Sequence, residues 1–403
     1  MPISGNWAET QNMTAPVAQL HGAALTDGAP IAEVLHAAES KALARPQLRA
    51  ILEAAIAHGA SDVHIRPGNP PLLRVTGQLY PLDLPELTEQ DSADLVDQAL
   101  TAEADRVAFR QQHDCDFALT LEGAGRFRVN AYRTRGADAM VLRHVREQVP
   151  SMDELGLPRA VRSLALASGG ILLVCGPTGS GKSTSLAAMV DVINRERRCH
   201  ILTIEDPIEY LHPNKLSTVS QRELHTDTSE FASALRAGMR QDPDVILIGE
   251  IRDAETMRTA LQAAQTGHFV LASMHARSVV DVVHRVVDTF PVDEQRQIRA
   301  SFAESMQAII CQHLIASARG ERRVLTCEIA TATPRVKEAI ADANKTAALH
   351  EIIAEGEYYG MHTFEQDLVR LVLAGDIAVE EAETVASRPA DLHVALRRAG
   401  HRD

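Results

Sequence analysis

The chain has 403 residues, 45% hydrophobic and 23% charged, which excludes a disordered, collagenous or coiled-coil protein and suffices for two ordinary domains with separate cores. Its 54 acidic and 40 basic residues give a net charge of −14, which argues against direct nucleic-acid binding, because a phosphate backbone needs a net basic surface. Aromatic residues make up 3%, with Trp7 the one tryptophan, so platforms for stacking bases are scarce and the cores must rest on Ala, Leu, Ile and Val.

Residues 1–45, rich in Ala, Gly, Thr and Pro, predict a flexible leader ending in a short helix between Ile31 and Leu43. The first lysine is Lys41 and no apolar run approaches the ~18 residues of a membrane span, so a cytoplasmic protein is expected, reaching a membrane only through a partner. A first domain is predicted over 46–149. Leu48, Ile51, Leu52 and Ile56 have helical spacing, and SDVHIRP and LLRVTGQLYPL read as strands about a Pro-rich turn. One helix is expected from Glu89 to Arg110, and DCDFALTLEGAGRFRVNAYRTRGADAMVLRHV reads as three strands with Gly turns, completing a small α+β module. Residues 150–163 read as a linker.

From Leu164 to about 395 buried strands alternate with helices: ILLVCG, a helix from Lys182, HILTIED, a helix near Ser229 to Arg240, then DVILIGE. That order predicts an α/β domain with a parallel-rich sheet and ligands at the carboxyl ends of its strands. Beyond Asp293 helices are expected, with a hairpin near Arg319 to Glu328. The five cysteines (Cys115, Cys175, Cys199, Cys311, Cys327) contain no C-x-x-C pair, which removes a zinc ribbon or thioredoxin-type site and predicts reduced thiols.

The sharpest chemical signal is GPTGSGKST: Gly176, Pro177, Thr178, Gly179, Ser180, Gly181, Lys182, Ser183 and Thr184. It has P-loop spacing, follows an apolar strand and precedes a helix. Such a loop turns backbone amides toward phosphates, Lys182 reaches the terminal phosphates, and Ser183 offers a hydroxyl to Mg²⁺. Hydrolysis also needs a group to activate water and another at the metal. ILTIEDP places Glu205 and Asp206 at one strand end, and DVILIGE places Glu250 at another; Glu205 is the expected base and Glu250 the expected metal partner. An acidic strand end by itself serves equally as a solvated terminus or helix cap, and the P-loop is what favours chemistry. TGHFVLASMHA sets His268 and His275 at opposite ends of a short strand, with His275, at the carboxyl end, the better placed to sense a terminal phosphate.

Taken together, GPTGSGKST, ILTIEDPIEY, QRE, ALRAGMRQDPDVILIGEIRD, TGH and HA resemble the Walker A, Asp box, Walker B and His box of secretion and type IV pilus ATPases. SDVHIRP, GRFRVNAY and GMHTFEQDLVRLVLAGDIAVEEA are similar to the PilT-like retraction branch, and no four-cysteine zinc site of the extension and secretion relatives is present. The resemblance spans about residues 46–390. It implies a RecA-like P-loop domain preceded by a smaller PAS-like domain, assembled as a homohexamer with nucleotide between the P-loop domain of one subunit and an N-terminal domain, cations arriving from the adjoining protomer. Glu205 matches the catalytic glutamate, Glu250 the Walker B glutamate, His268 and His275 the His box, and Arg128 and Arg143 the arginines that reach nucleotide. The implied function is a Mg²⁺-dependent ATP-hydrolysing motor for pilus retraction and twitching motility, peripheral to the inner face of the cell membrane on a platform protein. After Thr333 and Pro334 the family's AIRNLIRE-like segment reads RVKEAIAD, with Lys337 and Ala341 replacing arginines. That departure leaves two alternatives, a nucleotide-gated accessory subunit and a related type II/IV secretion ATPase.

Overall fold

The computed structural model describes residues 47–400 apart from 76, 123–124, 146–147, 321 and 387–388, so the expected leader and its helix lie outside the described residues. The N-terminal part runs α1 (Leu48–Ala57), β1 (Asp62–Ile65), β2 (Leu72–Val75), β3 (Gln78–Pro81), α2 (Glu89–Ala99), α3 (Glu103–Gln112), β4 (Asp114–Leu121), β5 (Gly125–Thr134) and β6 (Ala137–Val145). Its strands form one antiparallel sheet in the order β3-β2-β1-β6-β5-β4. Leu52, Leu95, Val96 and Phe109 from the three helices pack on Val63, Phe127, Val129 and Leu142 of the sheet. The single helix expected over Glu89 to Arg110 is in fact two. The chain breaks at Leu100, whose ψ of 78° is not helical, and both Leu100 and Phe109 are thereby buried in the same core.

The segment expected to be a linker is partly core. It contains α4 (Arg159–Ala165), and Met152, Leu157, Val161 and Ala165 are buried against the second sheet. That part continues with β7 (Gly170–Cys175), α5 (Lys182–Glu196), β8 (His200–Glu205), β9 (Thr218–Glu223), α6 (Phe231–Gly238), β10 (Val245–Ile248), α7 (Ala254–Gln265), β11 (Phe269–Met274), α8 (Val279–Asp288), α9 (Val292–Ser305), β12 (Met306–Ala316) and β13 (Arg323–Thr331). The sheet order is β13-β12-β7-β11-β10-β8-β9, parallel except for the β12–β13 pair. Alternate residues of its central strands face two helical layers: Ile171, Leu173, Ile204 and Ile248 pack on the α6–α9 side, and Leu172, Val174, Leu247 and Phe269 on the α4–α5 side. β7, β10 and β11 are buried along their whole length, which is why they read as unbroken apolar runs.

Two strands depart from expectation. β9 was not anticipated, because TVSQRE is polar; it survives as the sheet's edge. The region after Asp293 is mainly helical, as expected, but MQAIICQHLIA forms the eleven-residue β12 between β7 and β13, where ladder pairing on both sides overrides the helix propensity of its Ala, Gln and Leu. Thereafter α10 (Pro334–Ala341), α11 (Leu349–Ala354), α12 (Phe364–Leu373), α13 (Val379–Val385) and α14 (Pro389–Arg398) complete the chain, the last three sharing a small apolar cluster with Ile315. No helix among the described residues is long and apolar enough to cross a membrane.

Candidate active site

Parallel pairing aligns the carboxyl ends of β7, β8, β10 and β11 along one edge of the sheet, and the chain leaves those ends through Gly176, Asp206, Gly249 and His275. A cleft of about 520 Å³ opens there, lined by Lys182, Ser183, Glu205, Glu250, His275 and, from β5 of the N-terminal sheet, Arg128. The two sheets are tied beside it by an ion pair of 2.5 Å between Arg126 of β5 and Glu223 at the end of β9.

The loop between β7 and α5 has the shape its glycines permit. Gly176 (φ +152°) has no room for a side chain: a Cβ there would meet the Gln312 carbonyl oxygen at 2.4 Å and Ser180 Oγ at 2.5 Å. Gly181 (φ +87°) turns the chain directly into α5, leaving the unpaired N–H groups of the helix start facing the cleft. Lys182 Nζ curls back to donate to the carbonyls of Gly176 (3.0 Å) and Pro177 (3.1 Å), and burial lowers its pKa. The hairpin braces the loop from outside: Gln312 Nε2 donates to the Ser180 carbonyl at 2.8 Å and an Arg323 N–H to that of Gly179 at 3.4 Å. Neither brace was anticipated, for each lies more than a hundred residues from its partner.

Glu205 ends β8 with its Oε1 accepting from the Thr203 hydroxyl (2.7 Å) and from Gln221 Nε2 of β9 (3.1 Å). Gln221 is held in turn, Nε2 donating to the Tyr210 carbonyl at 2.9 Å and Oε1 accepting from the His212 backbone N–H at 2.8 Å. Burial pushes the Glu205 carboxyl up to about 7 against the pull of its two side-chain donors, which is the range a general base needs. Gln221 belongs to the QRE triplet, whose polarity concealed a positioning role.

Glu250 follows β10 and accepts from Arg252 at 2.8 Å, with His275 Nε2 3.0 Å from its other oxygen; Arg252 also approaches Asp206 at 3.7 Å. Ser183 Oγ donates to Glu209 at 3.1 Å, and Thr184 Oγ1 lies 3.2 Å from the Tyr210 hydroxyl, so the ILTIEDPIEY segment folds over the start of α5. Ser183 and Glu250 thus offer hard oxygen donors to one cleft, a set that fits Mg²⁺.

Two expected residues stand apart. His268 sits at the amino end of β11, its Nδ1 within 3.0 Å of the Ala263 carbonyl and 3.2 Å of Thr266 Oγ1, where it closes the end of α7; six strand residues, about 20 Å, separate it from the cleft edge. Arg143 lies directly opposite Arg128 in the β5–β6 register but is held by the buried carboxylate of Asp62 at 2.8 Å and does not line the cleft. Arg128 lines the cleft from β5 of the chain's own N-terminal sheet.

The family model of type II/IV secretion system proteins matches residues 37–383. The type IV pilus retraction ATPase PilT of Pseudomonas aeruginosa is 42% identical over 82% of this chain and 95% of its own length, and the type IV pilus ATPase PilU of the same organism 36% identical over 88% and 92%. Among solved structures, the pilus retraction motor PilT with bound ADP superposes with a TM-score of 0.80 at 40% identity, covering 85% of this chain and 98% of that one. The ATPase DotB of Legionella pneumophila gives a TM-score of 0.71 at 26% identity, covering 84% and 94%. By sequence and by fold alike, the chain belongs to the type II/IV secretion system protein family, in the branch of the type IV pilus retraction ATPases.

Proposed function

We propose that the chain is a Mg²⁺-dependent ATPase that works as a homohexamer on the cytoplasmic side of an inner-membrane platform protein and powers type IV pilus retraction. The observation that carries this reading is the convergence of a braced P-loop, a carboxylate raised to about 7 and an arginine from a second sheet on one cleft.

The α5 amides and Lys182 bind the phosphates, Lys182 exchanging its two carbonyl acceptors for phosphate oxygens. Ser183 and Glu250 would hold Mg²⁺, which would supply positive charge to neutralise the phosphates. Glu205, oriented by Thr203 and Gln221, takes a proton from water as the water oxygen attacks the γ-phosphorus and the bond to the ADP oxygen breaks. Arg128 stabilises the charge on the transferred group, and because it belongs to the other sheet, its approach couples hydrolysis to movement between the two parts. His275, against Glu250, is placed to report the state of that carboxylate.

Phosphate release from the purified full chain tests the reading, with sedimentation run in parallel. Sustained Mg²⁺-dependent release by a hexamer, lost in Lys182→Ala together with nucleotide affinity, supports it. Background release by the wild-type hexamer would make the chain a nucleotide-gated accessory subunit, and full activity as a monomer would remove the motor.

A further inference from the structure

Outside the cleft, the edge strand β13 carries a second group of chemically competent side chains. The turn before α12 lies along this strand, the Ile329 N–H donating to the His362 carbonyl at 2.9 Å in an isolated antiparallel bridge. That bond fixes the His362 backbone and brings its ring Nε2 to 3.5 Å from Cys327 Sγ. Within α12, Asp367 turns back to the same place. Its Oδ2 accepts from the Cys327 N–H (2.9 Å) and the Thr326 hydroxyl (3.0 Å), and its Oδ1 is held by Arg370 at 2.7 and 2.9 Å. One ligand atom from each of Cys327, His362 and Asp367 lies within 4.8 Å of the others. Cys327 and Asp367 are 1% and 3% exposed, and His362 is partly buried.

A thiol, an imidazole and a carboxylate are the three ligand types that zinc takes, here supplied by two elements already locked together. A tetrahedral ion with bonds of about 2.3 Å to sulfur and 2.0–2.1 Å to nitrogen holds those atoms about 3.6 Å apart, which the observed 3.5 Å matches. A weak thiol–imidazole hydrogen bond has a similar length, so the third member decides between the two. Asp367 adds an oxygen ligand within 4.8 Å of both, and Arg370, ion-paired to its other oxygen, orients that carboxylate from behind as an outer partner.

We propose that Cys327, His362 and Asp367 form a site for a zinc-class divalent ion that staples β13 to α12. On binding, the S–H bond breaks, its proton leaves to solvent and a sulfur–metal bond forms. The Thr326 hydroxyl rotates off Asp367 Oδ2 to free a lone pair, and water completes the four ligands. The ion would anchor the C-terminal α12–α14 cluster to the main sheet through the edge strand β13. The site is independent of the proposed ATPase activity.

The test uses tag-free full-length chain, stripped of metal and kept reduced, titrated with Co²⁺ and then Zn²⁺. The expected result is one equivalent of Co²⁺ bound, with a thiolate-to-cobalt charge-transfer band, the visible bands of tetrahedral Co²⁺, and displacement of both by Zn²⁺. Cys327→Ser should weaken binding about 100-fold or more and abolish the charge-transfer band. Because Cys327 is buried, His362→Gln at a partly exposed position serves as the second variant, with circular dichroism confirming the fold of both; it should weaken binding comparably. No charge-transfer band in the parent, or the same band in folded Cys327→Ser, overturns the assignment.

Discussion

Thr203→Val isolates the control of the proposed base. Thr203 is fully buried in β8, and its hydroxyl donates to Glu205 Oε1 at 2.7 Å, so valine keeps the shape of the strand and removes one donor to the carboxylate. A hydrogen bond to a charged group contributes about 1.5 kcal/mol, equivalent to roughly one pKa unit. Losing it disfavours the ionised form, so the Glu205 carboxyl, already pushed to about 7 by burial, should rise to about 8, with Gln221 still in place. In steady-state phosphate release at low ATP, the acidic limb of the kcat/KM profile should therefore move about one unit upward. At pH 7 the ionised fraction falls from about one half to about one tenth, a roughly fivefold loss, while near pH 9 the two proteins converge. An acidic limb that stays in place, or a loss equal at every pH, refutes the role given to Glu205 and its donor.

Two further outcomes are expected. Arg128→Ala should lower kcat by at least about tenfold while leaving ADP affinity, measured by calorimetry, within about threefold, because the guanidinium acts on charge that develops during transfer; parallel losses in both would make it a simple binding residue. Glu328, buried in β13 and accepting from the Val279 N–H at 2.7 Å, is pushed up to about 7 by burial. A carboxyl raised in the folded state contributes stability that is complete below its unfolded pKa of about 4.5 and is lost as pH rises through about 7, here roughly 3 kcal/mol. Glu328→Gln keeps the acceptor and removes the charge, so its urea midpoint should decline less than that of the parent between pH 5 and 8; identical declines contradict the burial argument.

The sequence was most legible where chemistry and burial coincide locally. Fully buried β7, β10 and β11 are short apolar runs bounded by turn residues, and the P-loop follows the first of them without a gap. The acidic ends of β8 and β10 converge with it because parallel strands share one carboxyl edge, a consequence of topology that alternation alone predicts. What stayed hidden depends on distant partners. β12 carries helix-forming residues and becomes a strand through its neighbours, and Gln312 and Arg323 brace the P-loop across 132 and 144 residues. β9 is polar because it is an edge, and so Gln221 could be seen in a motif but not beside Glu205. His275 was separable in sequence as the carboxyl-end histidine of β11, whereas the place of His268 at the end of α7 rests on its contact with the Ala263 carbonyl.

The most direct test of the account is Glu205→Gln, read by ATP affinity and single-turnover hydrolysis on the same preparation. Glutamine keeps the size of the side chain and removes the proton acceptor, so ATP should bind within about threefold of wild type while turnover falls by about 10³-fold or more. Turnover near the wild-type rate would show that another group activates the water, and the proposed mechanism would be wrong at its centre.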